Sequence, residues 1–312
     1  MIRFPEEVIV AEVGPRDGLQ SLPKWVETAD KVRMVDRLSE AGFAVIEVTG
    51  FVHPRAIPNL RDAEEVFARI ERRPGTVYRA LVPNARGAER AAAAKVGEML
   101  GLVTVSRTYL RKNQNMALDE AVEQAIAAFR IADRAGIPFV QAIGMAMWCP
   151  YEGAIPEDAV LALVRGFRNA GMRRFYVAGS LGMEDPRHTG RLIGRIYDSH
   201  PDVEMGFHVH NLAGWGQANV LAALDAGARW LEGSICGIGG GVTLPRALGS
   251  VGNLATEDIV AMLDSMGVRT ALDPDAVTAA AKDVAALLGI EARSHAANGV
   301  TRREVLHRDP VA

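Results

Sequence analysis

Short apolar runs rich in Val and Ile recur along the chain, and each gives way to a stretch whose apolar positions fall at helical spacing. The runs at 8–13, 44–49, 77–82, 99–105, 138–144, 174–178, 203–209 and 229–233 predict eight strands. Helix ends are legible between them. Thr28 is placed to cap a helix carrying Val32, Val35 and Leu38 that stops at Gly42. Asp119 precedes Val122, Ile126 and Phe129 with a stop at Gly136, and Thr256 precedes Ile259, Leu263 and Met266 before Gly267. Eight strand-helix units predict a parallel (β/α)8 TIM barrel. A doubly wound open sheet is the alternative, but no Gly-x-Gly-x-x-Gly follows the first strand to favour it. Residues 274–289 predict one further helix packed on the barrel, so the expected catalytic barrel spans 1–290. The remaining 291–312, polar and Arg-rich, reads as a mobile tail or flap.

In such a barrel, catalytic groups stand just after the C-terminal ends of the strands. The seventh run ends in His208-Val209-His210, and two imidazoles one residue apart on a strand share a face, as cis ligands of one metal ion would. After the first run comes the Gly-Pro and Asp-Gly turn that presents Arg16 and Asp17. Glu47 lies inside an otherwise apolar run, where an unpaired charge costs several kcal/mol, so it must be paired or functional. After the eighth run, four glycines in residues 237–241 indicate a tight corner, a mobile flap or close approach of backbone to a ligand. Asn253 follows. First, seventh and eighth strands neighbour one another in a closed barrel, so Asp17, His208, His210 and Asn253 are expected to converge. One carboxylate, two imidazoles and an amide oxygen suit Mg²⁺ or Mn²⁺ with positions open for substrate oxygens, while Zn²⁺ and Co²⁺ stay open. Such an ion acidifies a hydroxyl and stabilises an enolate, and Arg16 can donate to the same oxyanion.

Composition narrows the partners. The chain has 312 residues, 49% of them hydrophobic and 23% charged, which is ordinary globular composition. With 35 basic and 38 acidic residues the net charge is −3, and no basic surplus points to nucleic acid. The uncharged run 135–151 is interrupted by Gly and Pro and is too short to span a bilayer, so no membrane partner is expected. The first ten residues lack a secretory signal, which makes a cytoplasmic location the expectation. The two cysteines, Cys149 and Cys236, make no disulfide framework and read as buried small hydrophobes. A homo-oligomer is left open.

At these residues the chain resembles the 3-hydroxy-3-methylglutaryl-CoA lyase family, over roughly 8–288. The resemblance is carried by Glu-Val-Gly-Pro-Arg-Asp-Gly-Leu-Gln at 12–20, Val-Ile-Glu-Val-Thr-Gly-Phe-Val at 45–52 and Pro-Asn-Ala-Arg-Gly at 83–87. Cys-Pro-Tyr-Glu-Gly at 149–153, His-Val-His at 208–210 and Gly-Asn-Leu-Ala-Thr-Glu-Asp at 252–258 add to it. It implies a metal-dependent lyase that splits a 3-hydroxyacyl-CoA into acetyl-CoA and a keto acid. It places metal ligands at Asp17, His208, His210 and Asn253 and the catalytic arginine at Arg16. Further catalytic roles are expected of Asp17, His208 and Glu47, and substrate contacts of Gln20, His53, Arg111, Lys112, Ser180, Gly241 and Glu257. The departures surround the substrate: Gly241 replaces a loop cysteine assigned to proton transfer, and Ala178-Gly179-Ser180 replaces Gly-Asp-Thr. Asn211 replaces the aspartate after His-x-His, and Ser21-Leu22 replaces Asn-Glu. Cys236, five positions before Gly241, is a weak candidate to substitute for the missing thiol. The same ion and Arg16 would also serve an aldolase or Claisen-type condensing enzyme acting on a hydroxy-keto acid or acyl-CoA. A barrel that binds metal without turnover is the third reading.

Overall fold

The apolar runs become eight strands of a computed structural model that describes residues 3–240, 248, 251–300 and 302–307. The strands are β1 Ile9–Glu12, β2 Val45–Gly50, β3 Val77–Leu81, β4 Glu98–Thr104, β5 Phe139–Gly144, β6 Arg174–Gly179, β7 Glu204–Val209 and β8 Trp230–Gly233. All pair in parallel in the closed order β1-β8-β7-β6-β5-β4-β3-β2. The seam closes with Ile9 opposite Trp230 and Glu12 opposite Gly233, so the chain forms a TIM barrel and not an open sheet. A small antiparallel ribbon, Trp148–Cys149 with Gly153–Ala154, stands on the loop after β5.

Helices α1 Thr28–Glu40, α2 Ala63–Arg69, α3 Ala85–Ala93, α4 Arg107–Gln114 and α5 Leu118–Arg134 fill the connections of the first half. Those of the second half are α6 Glu157–Asn169, α7 Pro186–Ser199, α8 Gly216–Asp225 and α9 Thr256–Ser265, with α10 Pro274–Leu288 beyond them. Three sequence expectations shift. In α5 the face turned to the barrel is Ala121, Ala125, Ala128 and Ala132 at i, i+4, i+7 and i+11, while Val122, Ile126 and Phe129 flank it half-buried. Small residues let the helix axis approach the sheet, and the larger ones fill its shoulders. Thr28 opens α1 without capping it; Glu27 takes the cap position and the Thr28 hydroxyl donates to Asp62 at 2.8 Å. Ala255 similarly precedes α9, leaving Thr256 as its first residue.

Part of the segment expected to be a polar tail is seated. The Arg293 amide donates to the Cys236 carbonyl at 2.9 Å, and Asp258 accepts from the amides of His295 and Ala296 at 3.1 and 2.8 Å. Ser294 caps a short helix, α11 His295–Asn298. The start of this segment therefore backs the loop that follows β8.

Strand alternation divides the core. Tyr78, Ala80, Phe139, Ile143, Phe175 and Val177 point outward to the helices, whereas Leu81, Leu100, Val140, Ala142, Tyr176 and Trp230 point inward. Charge is also built into the interior. Arg79, 1% exposed, pairs with Glu98 at 2.6 Å and with Glu232, and Glu98 also meets Arg174.

Candidate functional site

Val13, at the end of β1, accepts from the amides of Asp17 at 2.8 Å and Gly18 at 3.4 Å, which makes Gly14–Gly18 one wide π-type turn. Single π-type turns of this kind recur at functional sites. The Arg16 guanidinium donates through Nη1 to Asp17 Oδ1 at 2.9 Å and through Nε to Glu47, whose strand neighbours β1. Gln20 Nε2 donates to the same Asp17 oxygen at 2.7 Å. Burial tends to raise the Asp17 carboxyl, but Arg16 and then the two imidazoles outweigh it and hold the group below its usual range.

His208 and His210 leave β7 on the shared face that their spacing demands, with Nε2 of one 3.1 Å from Nε2 of the other. His208 is fixed from behind: its Nδ1 meets Glu232 Oε2 at 3.2 Å, and the Tyr176 ring stacks on it at 5.6 Å. A carboxylate on the far ring nitrogen sets the tautomer and turns the other nitrogen to the site. Burial and the neighbouring His208 push His210 down to about 4, which leaves a neutral imidazole with a lone pair to give.

Asn253 arrives where the chain after β8 runs beside the end of β7: His210 and Asn253 form a bridge, and the Leu254 amide donates to the Val209 carbonyl at 2.9 Å. Its Nδ2 donates to Asp17 Oδ2 at 2.6 Å and to the Ile238 carbonyl at 3.0 Å. Gly239 shows why this loop is glycine-rich. Its φ is +134°, and a Cβ there would stand 2.1 Å from Asn253 Nδ2 and 2.9 Å from Asp17 Oδ2. The loop backbone passes against the site itself.

The donor set fits a divalent cation. Asp17, His208 and His210 each offer a ligand atom within 4.8 Å of the others, and all are buried. Asn253 Oδ1 is buried with no hydrogen-bond partner, an unsatisfied acceptor beside them.

A cavity of about 450 Å³ opens over this cluster, and Arg16, Asp17, Gln20, His53, Ser180, His208 and His210 line it. Ser180 also ties the loop after β5 by accepting from the Met145 amide at 2.9 Å. Val52, Ile57, Leu81, Leu102, Met116 and Met145 give the cavity an apolar flank, with Asn84, Asn113 and Gln114 as amide groups. Other expectations fall outside it. Arg111 and Lys112 are exposed on α4, and Tyr109, Asn113 and Gln114 of the same helix face the cavity instead. Glu257 is buried behind the loop after β8, accepting from the Cys236 amide at 3.1 and 3.2 Å, and burial raises it to about 7. Asn211 accepts from the Gly216 amide at 2.8 Å at the start of α8. Gly241 lies outside the described residues. The Cys236 Sγ donates to the Ala281 carbonyl at 3.1 Å, Cys236 does not line the cavity, and burial pushes the thiol up.

Sequence reasoning missed Tyr176, Arg79 and Glu232. The signal was present for two of them, since each is a charge inside an otherwise apolar strand, the pattern that singled out Glu47.

With this geometry in place, comparison with known proteins gives a consistent picture. The family model described as HMGL-like matches residues 7–284. A hydroxymethylglutaryl-CoA lyase of Bacillus subtilis is 35% identical over 286 residues, covering 92% of this chain and 95% of that protein. A 3-hydroxy-3-isohexenylglutaryl-CoA/hydroxy-methylglutaryl-CoA lyase of Pseudomonas aeruginosa is 32% identical over 299 residues, 96% and 99% of the two chains. Among solved structures, an HMG-CoA lyase of Acinetobacter baumannii in complex with coenzyme A and 3-methylmalate superposes with a TM-score of 0.91 at 35% identity, covering 99% of this chain and 100% of that one.

Proposed function

The chain belongs to the HMGL-like family, and from that premise we infer the chemistry its site performs. It is a divalent-metal-dependent carbon-carbon lyase that cleaves a 3-hydroxyacyl-CoA of the hydroxymethylglutaryl-CoA type to acetyl-CoA and a keto acid. The observation that carries the site assignment is the unsatisfied Asn253 oxygen beside Asp17, His208 and His210.

In our reading those four residues hold the cation, and the mixed oxygen and nitrogen set favours Mg²⁺ or Mn²⁺. When bound, it supplies Lewis-acid stabilisation of the negative charge that develops on substrate oxygen. Arg16 is assigned the companion role. Two of its five donors are tied to Glu47 and Asp17, which leaves a rigid, desolvated guanidinium with further N–H groups at the cavity wall. Glu47 acts through Arg16 by fixing its orientation. Gln20, by donating to Asp17, orients that carboxylate. The substrate hydroxyl loses its proton, the bond between its carbon and the thioester α-carbon breaks, and the departing enolate gains a proton. Neither cysteine faces the cavity to deliver that proton, so a water or another group does.

No helix among the described residues is long and apolar enough to cross a membrane. The apolar flank of the cavity supports including thioesters with a C3 substituent larger than methyl among the substrates.

The test is a Mg²⁺- or Mn²⁺-supplemented reaction with hydroxymethylglutaryl-CoA, longer 3-hydroxyacyl-CoA thioesters and CoA-free hydroxy-keto acids, read by mass spectrometry. Acetyl-CoA and a keto acid are expected from the thioesters. Cleavage of the CoA-free acids alone would favour an aldolase, and neither metal binding nor turnover would reject the reading.

A further inference from the structure

Cleavage ends when the departing enolate takes a proton, and few of the described groups at the cavity wall can give one. Arg16 is held charged by Glu47 and Asp17, Asp17 itself stays ionised, and His208 and His210 belong to the ligand set. The alcohols of Thr104 and Ser180 are far weaker acids than a phenol. His53 stands exposed at the rim, where bulk water competes with it. Two phenols remain in the lining, Tyr176 and Tyr109. The Tyr176 ring stacks on His208 at 5.6 Å and serves to hold that imidazole. Tyr109 has no such duty.

The helix that follows β4 brings Tyr109 to the cavity. Ser106 caps α4 by accepting from the Tyr109 amide at 3.0 Å, and Tyr109 and Asn113, one turn apart on the same face, both line the cavity. In the closed strand order β4 stands across from β8, so the phenol meets the cavity from the wall opposite the ligand-bearing ends of β1, β7 and β8. Tyr109 is 5% exposed. Its hydroxyl makes no hydrogen bond with any described residue, yet it is not one of the sealed polar atoms left without a partner. A hydroxyl that is neither paired nor sealed opens on space, and the space this residue lines is the cavity. Burial and then the charge of Asp17 hold the phenol above its ordinary range, so it keeps its proton at neutral pH. It is still a stronger acid than the α-carbon of a thioester, which is what a donor to the enolate requires. The ring lies 6.3 Å from that of the exposed Tyr151, so solvent is near enough to recharge it.

We propose that Tyr109 is a catalytic residue, the acid that protonates the departing enolate. The proposal rests on the lyase reading above and supplies the group which that reading leaves open. As the bond between C3 and the α-carbon breaks, its electron pair passes to the α-carbon and the thioester carbonyl. The Tyr109 O–H bond then breaks, its proton joins the α-carbon to complete the acetyl methyl group, and the electron pair stays on the phenolate. Water returns a proton to the phenolate, in balance with the one that the substrate hydroxyl gave up. Position 241, where the resemblance implies a proton-transferring cysteine, is Gly, and the task passes to a phenol on α4.

The test compares the parent with Tyr109→Phe and with a protein carrying a fluorinated tyrosine at position 109, whose phenol is more acidic. Values of kcat and KM for hydroxymethylglutaryl-CoA are measured with Mn²⁺ from neutral to alkaline pH, with Mn²⁺ affinity read by titration and folding by circular dichroism. Tyr109→Phe removes one oxygen from a packed ring and is expected to fold and to bind Mn²⁺ as the parent does. Its kcat is expected to fall by about 10²- to 10⁴-fold, with KM within about threefold of the parent. The fluorinated protein is expected to turn over near neutral pH and to lose activity at a lower alkaline pH than the parent, as its phenol ionises. Parent-like kcat in Tyr109→Phe, or a loss confined to KM, overturns the proposal, and so does an unchanged pH profile in the fluorinated protein. If Tyr109→Phe does not fold, the fluorinated protein decides. A parent that cleaves the thioester no faster than Tyr109→Phe defeats this proposal and leaves the lyase reading standing. A parent that binds Mn²⁺ but cleaves no thioester defeats both, since no enolate then forms.

Discussion

Two levels of buried charge are stacked inside the barrel, and they are completed differently. In the lower level, Arg79 is paired with both Glu98 and Glu232, Glu98 also meets Arg174, and Glu232 passes its second oxygen to His208. In the upper level, Asn253 Oδ1 and one oxygen of Glu47 are buried without a partner. Both levels are desolvated, so the same electrostatics act on each. The lower one is finished by the chain alone, whereas the upper one is left to be completed by a cation and a substrate. His208 joins them, since its Nδ1 belongs to the lower network and its Nε2 to the site.

That contrast is open to direct attack. The largest effect is expected at the upper level, where His208→Ala should lower turnover by about 10⁴-fold or more with loss of bound metal. Its stability should fall less than that of Arg79→Met, because only one oxygen of Glu232 loses its partner. Steady-state kinetics, metal analysis and calorimetry check this, and a large loss of stability would erase the distinction between the levels. Arg79→Met should do the reverse. It strands two buried carboxylates and should cost about 3–5 kcal/mol of stability, measured by denaturant unfolding.

A smaller effect concerns Glu257, behind the loop after β8. Its folded-state value of about 7 lies above the ordinary 4.5, so between those values the native chain holds a proton that the unfolded chain has released. Its contribution to stability is therefore present below about pH 4.5 and is lost as pH rises through 7. Glu257→Gln should flatten the fall by at most about 1.4 kcal/mol per pH unit within that window. Unfolding curves at several pH values measure it, and an unchanged slope would mean that the carboxylate stays charged. The smallest effect is expected on the rim. Ala at Arg111 and Lys112 together should change KM for the thioester by less than about threefold, since both are exposed and outside the cavity lining. A larger change would bring α4 into the binding site.

Much of the site was legible in local pattern. Period-two alternation put His208 and His210 on one face, and close backbone approach was one of three readings of the glycines at 237–241, the one that Gly239 fits against Asn253 and Asp17. Glu47 stood out as a charge in an apolar strand, and its partner proved to be Arg16. Arg79 and Glu232 carried the same signal in β3 and β8. Their partnership was not legible, because the residues are 153 positions apart and meet only across the closed barrel.

Strand positions, helix order and the identity of the ligand-bearing turns follow from periodicity and turn chemistry, which act over a few residues and can be read along the chain. Side-chain destinations do not. Cys236 was near the site in sequence, yet a backbone φ of +60° and the packing of α10 turn its thiol outward to Ala281. Gly179 read as a lost carboxylate, yet the space it leaves is filled by Glu184 from the next turn. Barrel closure settles such matters, because volume inside a packed interior is exclusive. Which residue occupies it depends on every element that reaches the same point.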